Sequence, residues 1–310
     1  MDDLIESLPA ADARTANTPR PSGIAVRPTT PADTAEICDL LEHGFVRSGI
    51  PADGWRPLCT TNWLADYPRG FVLTDGGKIV GHLATIYAQR EINGKTGIVC
   101  NHSSYYVAPA YRGRGLGATL SAAAVRDERI TYTSLTPAPV TQRVLEAAGW
   151  AILERRMLLF PPGLNAETLW RSRVDIDVNE QTVCASLGQA ERRIYDDHAP
   201  YDCLHMTASD AGGTAYLVVK RRRRRVPWWT SIPFSQILYC SAPDVLARNL
   251  ERIKLAIMRQ QKTCGIAMHE RFFPKVPRAI RRKEIAQYRS PVFTPNELDL
   301  LYSEFVLLDM

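Results

Sequence analysis

The chain has 310 residues, 38 Lys and Arg against 33 Asp and Glu, and a net charge of +5. That length points to two domains, no apolar run approaches the eighteen or so residues of a membrane span, and so mild a charge argues against a dedicated nucleic-acid binder. Seven cysteines, odd in number and never paired as Cys-x-x-Cys, argue against a disulfide framework or a zinc site and for reduced thiols.

Residues 1–22 are rich in Ala, Asp, Thr and Pro and lack the basic start and apolar stretch of a signal peptide, so a loose tail and a cytoplasmic protein are expected. Residues 24–28 read as a strand and 31–37 as the start of a helix, with Asp33 or Thr34 near its cap. Residues 71–81 read as a hairpin turning at Asp75-Gly76-Gly77. Residues 98–107 are apolar and β-branched enough for a buried strand, Pro109 stops it, and 118–129 have the Ala and Leu content of a helix. Between strand and helix stands Arg112-Gly113-Arg114-Gly115-Leu116-Gly117. Glycines at a helix N-terminus let an anion approach unpaired N–H groups and the positive end of the helix dipole, and two arginines add charge. A Walker A loop needs Lys and then Ser or Thr after its last glycine, and Ala118-Thr119 stand there. A dinucleotide-binding loop follows the first strand of its unit, whereas this one follows a helix and several strands.

The Arg-x-x-Gly-x-Gly pattern at 112–117, with Val107-x-Pro109 before it, resembles the acyl-CoA-binding motif of the GNAT acyltransferases. The resemblance extends over residues 23–160 in the order of elements, and Leu145-Glu146-Ala147-Ala148-Gly149-Trp150 resembles the end of the family's later helix. It implies an α/β fold built on a mixed sheet, with acetyl-CoA or another acyl-CoA as donor and direct attack by an amine or hydroxyl. By the same matching Tyr105, Tyr106 and Val107 line the pantetheine arm, and Arg112, Gly113, Arg114, Gly115, Leu116, Gly117 and Ala118 hold the pyrophosphate; no metal is implied. The family's usual thiolate-protonating Tyr is matched by Leu145, which cannot donate, and the common Asn around Pro139-Val140-Thr141 is missing, with Tyr132, Thr136 or Thr141 open as substitutes. For the catalytic base, Asn101-His102-Ser103-Ser104-Tyr105 is a polar start for a buried strand: His102 is the candidate, with Ser103 and Ser104 as orienting groups, against the reading of a strand-end histidine that only bonds a neighbour.

Past Pro161-Pro162-Gly163 the chain begins again, with a helix at 189–197, strands at 214–220 and 235–241, a helix at 245–261 and a strand at 264–269. This order echoes the first half, but Ser241-Ala242-Pro243-Asp244 stands where the glycine loop would be. The expected division is a tail, 1–22, a catalytic GNAT domain, 23–162, and a degenerate GNAT-like domain, 163–310. Cys100 and Cys240 read as core fillers. The basic run from Lys220 to Arg225, followed by Val226-Pro227-Trp228-Trp229, reads as a solvated hairpin, as a site for an anionic acceptor, or as a nucleic-acid or membrane surface. Arg278 to Lys283 reads as an extension of that surface or as helix punctuation. A nonenzymatic acyl-CoA-binding or nucleic-acid-binding protein and a tRNA-dependent aminoacyl transferase of tandem GNAT type remain as alternatives.

Overall fold

The computed structural model describes residues 23–163, 165–224, 231–273 and 279–309; the expected tail, Arg225 and Trp228-Trp229 lie outside them. The first half runs β1 (Ile24–Pro28), α1 (Thr34–Gly44), α2 (Ala52–Thr60), β2 (Gly70–Asp75), β3 (Lys78–Ile92), β4 (Lys95–Val107), α3 (Leu116–Ala124), β5 (Thr131–Ser134), α4 (Pro139–Ala147) and β6 (Ala151–Phe160). The second runs α5 (Ala166–Arg171), β7 (Asp175–Asp177), α6 (Glu180–Ser186), α7 (Gln189–His198), β8 (Cys203–Asp210), β9 (Gly213–Arg224), β10 (Ile232–Cys240), α8 (Pro243–Arg248), α9 (Leu250–Gln261), β11 (Ile266–His269), β12 (Ile280–Arg289) and α10 (Glu304–Leu307).

Local chemistry sets several of these boundaries. Gly76 and Gly77 take positive φ (56° and 89°), as a two-residue hairpin turn requires. Helix α3 stops at Ala124, short of the expected 129, because Asp127 accepts hydrogen bonds from the Arg129 amide and guanidinium and makes a turn of its own. The helix expected over 245–261 is two helices. Asn249 breaks it, donating to Asp210 and to the Val245 carbonyl while accepting from Ser172.

The twelve strands form one sheet in the order β1-β2-β3-β4-β5-β12-β6-β11-β10-β9-β8-β7. The halves mirror each other: each starts with an outer strand, passes through antiparallel neighbours and reaches a parallel pair, β4 with β5 and β10 with β11. At the centre the last strands are exchanged. β12 lies between β5 and β6, antiparallel to both, and β6 pairs with β11. Of residues 278–283, read as an extended basic surface or helix punctuation, Arg278 lies outside the described residues and 280–283 open a strand that joins the halves, and the division at 162/163 is crossed by the sheet.

The largest core also crosses it. Ile37, Leu41 and Leu58 of α1 and α2, Val72 and Ile86 of the first half, and Tyr216, Val218 and Leu238 of the second all pack with Leu300, Phe305, Val306 and Leu308. The C-terminal stretch is therefore an inner layer between the halves. Arg90 on β3 and Asp299 meet there in a two-pronged pair at 2.9 and 2.6 Å, with side chains only 6% and 9% exposed. Burial opposes the Arg90 charge, but Asp299 outweighs it and keeps the guanidinium protonated. Arg271 adds hydrogen bonds to the carbonyls of Pro295 and Leu298.

Removing one partner of such a pair leaves a buried charge alone. Asp299→Ala is expected to lower stability by about 3–5 kcal/mol, read as a reduced midpoint in urea unfolding; a loss under about 1 kcal/mol, the range of exposed pairs, would contradict the anchoring role.

Candidate active site

Strand β4 leads directly to the glycine loop. Gly113 and Gly115 both take left-handed φ (74° and 72°), and a Cβ at either would meet nothing within 4 Å, so they are required for backbone conformation and leave the loop open. Gly115 is the N-cap of α3, and no side chain caps that helix. Its first N–H groups, at the positive end of the helix, thus point from a bare loop. Gly117 has another reason: a Cβ there would lie 2.8 Å from the Tyr105 hydroxyl. The Arg112 Nε donates to the Val107 carbonyl at 2.8 Å and its guanidinium lies 5.3 Å from the Tyr106 ring centroid, which fixes the side chain across the end of β4. Arg114 lies over Tyr111, whose hydroxyl donates to Asp75.

β4 and β5 pair only over 99–101 with 131–133; β5 ends at Ser134 while β4 continues to Val107. The two strands part there, leaving the edge of β4 from 102 to 107 without a strand beside it. At this point β4 carries a bulge, with Ser104 at φ 46° and a register shift against β3 between His82 and Ala84. The Ser104 hydroxyl is 3.2 Å from His82 Nδ1. Along the free edge Tyr105 and Val107 turn their side chains into the cluster with Phe71, Leu83 and Leu120 on the α3 face. Tyr106 packs on Gly44 and Phe45 on the other face. Burial pushes the Tyr105 phenol up to about 12, and its hydroxyl has no partner among the described residues.

His102 sits on the α3 face under Tyr132 and Trp150, with ring centroids 5.5 and 5.3 Å away and Nε2 without a partner among the described residues. Burial lowers its pKa to about 3. Ser103 is buried one residue on. Asn101 turns to the opposite face and donates from Nδ2 to Glu304 of α10, while its own Oδ1 accepts from Thr133 at 3.1 Å. The Thr136 hydroxyl, just past β5, donates to the second Glu304 oxygen at 2.8 Å. Glu304 is 1% exposed and burial raises its pKa above the usual carboxylate range. Sequence reasoning misses it; its one signal is a lone Glu in the otherwise apolar stretch Tyr302-Ser303-Glu304-Phe305-Val306. Among the described residues no group of three or more His, Cys, Asp or Glu could hold a metal ion, and no helix is long and apolar enough to cross a membrane.

The acetyltransferase (GNAT) family model matches residues 34–131, the stretch from α1 through the glycine loop to the start of β5. Residues 34–131 thus carry a GNAT acetyltransferase domain. Solved structures share the GNAT fold well beyond that stretch. A GCN5-related N-acetyltransferase from Kribbella flavida is similar with a TM-score of 0.56 at 13% identity, over 86% of this chain and 70% of its own. One from Anabaena variabilis gives 0.54 at 14%, over 86% and 72%. A putative acetyltransferase from Pyrococcus horikoshii gives 0.54 at 11%, over 96% and 100%. No curated protein matches in sequence. For the matched stretch, acyl transfer in general is the reaction class that the family supports.

His102 is neutral in the folded state and takes up a proton on unfolding below its ordinary pKa of 6.5, so it weakens the fold as pH falls from about 6.5 towards 3. In that window His102→Phe should reduce the slope of unfolding free energy against pH by about 1.4 kcal/mol per pH unit, read by denaturant titrations at several pH values. An unchanged slope would mean that the ring is not held neutral.

Proposed function

We propose that the chain is an acyl-CoA-dependent acyltransferase whose donor lies across the glycine loop and along the free edge of β4. The observation that carries this reading is the uncapped N-terminus of α3 behind Gly113 and Gly115, both in conformations that favour glycine. In this reading the N–H groups of residues 115–118 and the guanidiniums of Arg112 and Arg114 hold the pyrophosphate. The backbone of Tyr105, Tyr106 and Val107 borders the pantetheine arm, their side chains being committed to packing on either face. The acyl carbonyl then reaches the parting of β4 and β5.

There the acceptor nitrogen or oxygen attacks the carbonyl carbon, the carbon–sulfur bond breaks, and the thiol departs as thiolate. Its pKa near 8.5 makes that departure feasible without the acid that Leu145 cannot supply. The proton lost by the acceptor goes to Glu304 in preference to His102: a buried carboxylate with raised pKa is a better base near neutrality than an imidazole held at about 3. Asn101 and Thr136 orient it through their hydrogen bonds. Ser103 and Ser104 stand at the bulge where the arm would end, with Ser104 tied to His82.

Thermal-shift titrations with acetyl-CoA, longer acyl-CoAs, CoA, NADH and ATP test the donor. Saturation at a hundred times Kd should stabilise the fold by about 2.7 kcal/mol for CoA species alone, and Arg112→Ala with Gly115→Ala should weaken that binding at least about tenfold. No shift with any CoA species sinks the reading. Glu304→Gln should cut thiol release in an amine panel by about a hundredfold or more while sparing CoA affinity. The wild-type rate should rise with pH through a carboxylate pKa above the ordinary range; a Gln variant with full activity removes Glu304 from the chemistry.

A further inference from the structure

Beside the parting of β4 and β5 is a cavity of about 460 Å³, within the range of about 300–1,000 Å³ usual for small-molecule sites. Thr136 and Gln142 form one wall, Arg222 and Arg223 of β9 another, and Arg282 and Lys283 of β12 a third. Glu284 is the one acidic residue of the lining, against four cations. The Arg222 guanidinium lies 4.3 Å from the Phe305 ring centroid, next to Glu304, and the Thr136 hydroxyl in the cavity wall is the one that donates to the Glu304 carboxylate. The basic run and the basic cluster, which lie far apart in sequence, thus converge at the residue proposed to take the acceptor's proton.

Two neighbouring charges on these strands are paired within the fold. Lys220 pairs with Asp309, and Arg281 with Glu270 at 2.6 Å. Arg223, Arg282 and Lys283 have no ion pair among the described residues. Convergent unneutralised cations around a concave wall raise the local concentration of an anion and favour phosphoryl oxygens in particular. We propose that this cavity is the acceptor site and that the acceptor is a small amine or alcohol carrying a phosphoryl group, held so that its nucleophile faces Glu304. This rests on the acyl-transfer reading above.

The test uses the whole chain and inorganic pyrophosphate as probe. CoA is first titrated to saturation, which fills the glycine loop; pyrophosphate is then titrated in by calorimetry. One further pyrophosphate per chain is expected, with affinity reduced at least tenfold in Arg282→Gln with Lys283→Gln, whose exposed positions spare the fold and the CoA affinity. No uptake, or uptake that the paired substitution leaves unchanged, overturns the assignment. Failure of CoA to bind in the first step would sink the donor reading separately, and the same pyrophosphate titration in an Arg112→Ala background would still decide the cavity. A single-stranded oligoribonucleotide that binds through Arg282 and Lys283 more tightly than pyrophosphate would overturn the small-acceptor assignment in favour of a nucleic-acid surface.

Discussion

The buried pair between Arg90 and Asp299 is the constraint on which the rest of the arrangement depends. It fixes the C-terminal stretch against β3, and the residues after Asp299 are then laid in order across the sheet. Leu300 enters the core, Tyr302 donates to Asp197 of α7, Glu304 meets Asn101 and Thr136, and Lys220 pairs with Asp309. A buried ion pair is an indifferent source of stability compared with apolar packing, but it tolerates no misalignment. Its geometric value here is to bring a carboxylate to the point where β4 and β5 separate.

The glycine loop between its strand and helix was legible because its determinants are local. A strand, a Pro, glycines that must take positive φ and an Ala-rich helix lie within about thirty residues, and each imposes its own backbone preference. The hairpin at Gly76-Gly77 was legible for the same reason. The surroundings of Glu304 were not. Thr136 and Glu304 are 168 residues apart and Arg90 and Asp299 are 209 apart, and no periodicity or spacing reports a contact of that range. His102 was singled out because it is polar in a buried strand, yet the alternation of β4 turns it to the α3 face under two aromatic rings, while its neighbour Asn101 faces Glu304.

β12 escaped notice through its composition. Its first four residues, Ile280 to Lys283, are exposed and the last three of them are charged, and burial begins only at Glu284. A strand that is basic along its outer half looks like a surface segment until its partners are known. The break between α8 and α9 is of the same kind: helical periodicity continues across Asn249, and the interruption comes from Asp210 and Ser172, which reach it from other elements.

The exchange of β6 and β12 has a consequence for how the protein is made. The segment bearing the glycine loop leaves the ribosome early, but β5 has no inner neighbour and the proposed base is missing until the last few dozen residues have been translated. Until then the first half presents a bare strand edge and an uncovered apolar face, the features that invite association with other chains. Contacts of such long range also slow the final docking. The proposed activity is thereby coupled to synthesis of the C-terminal stretch: a product cut short before residue 280 would carry the whole glycine loop and have neither β12 nor the carboxylate proposed as base.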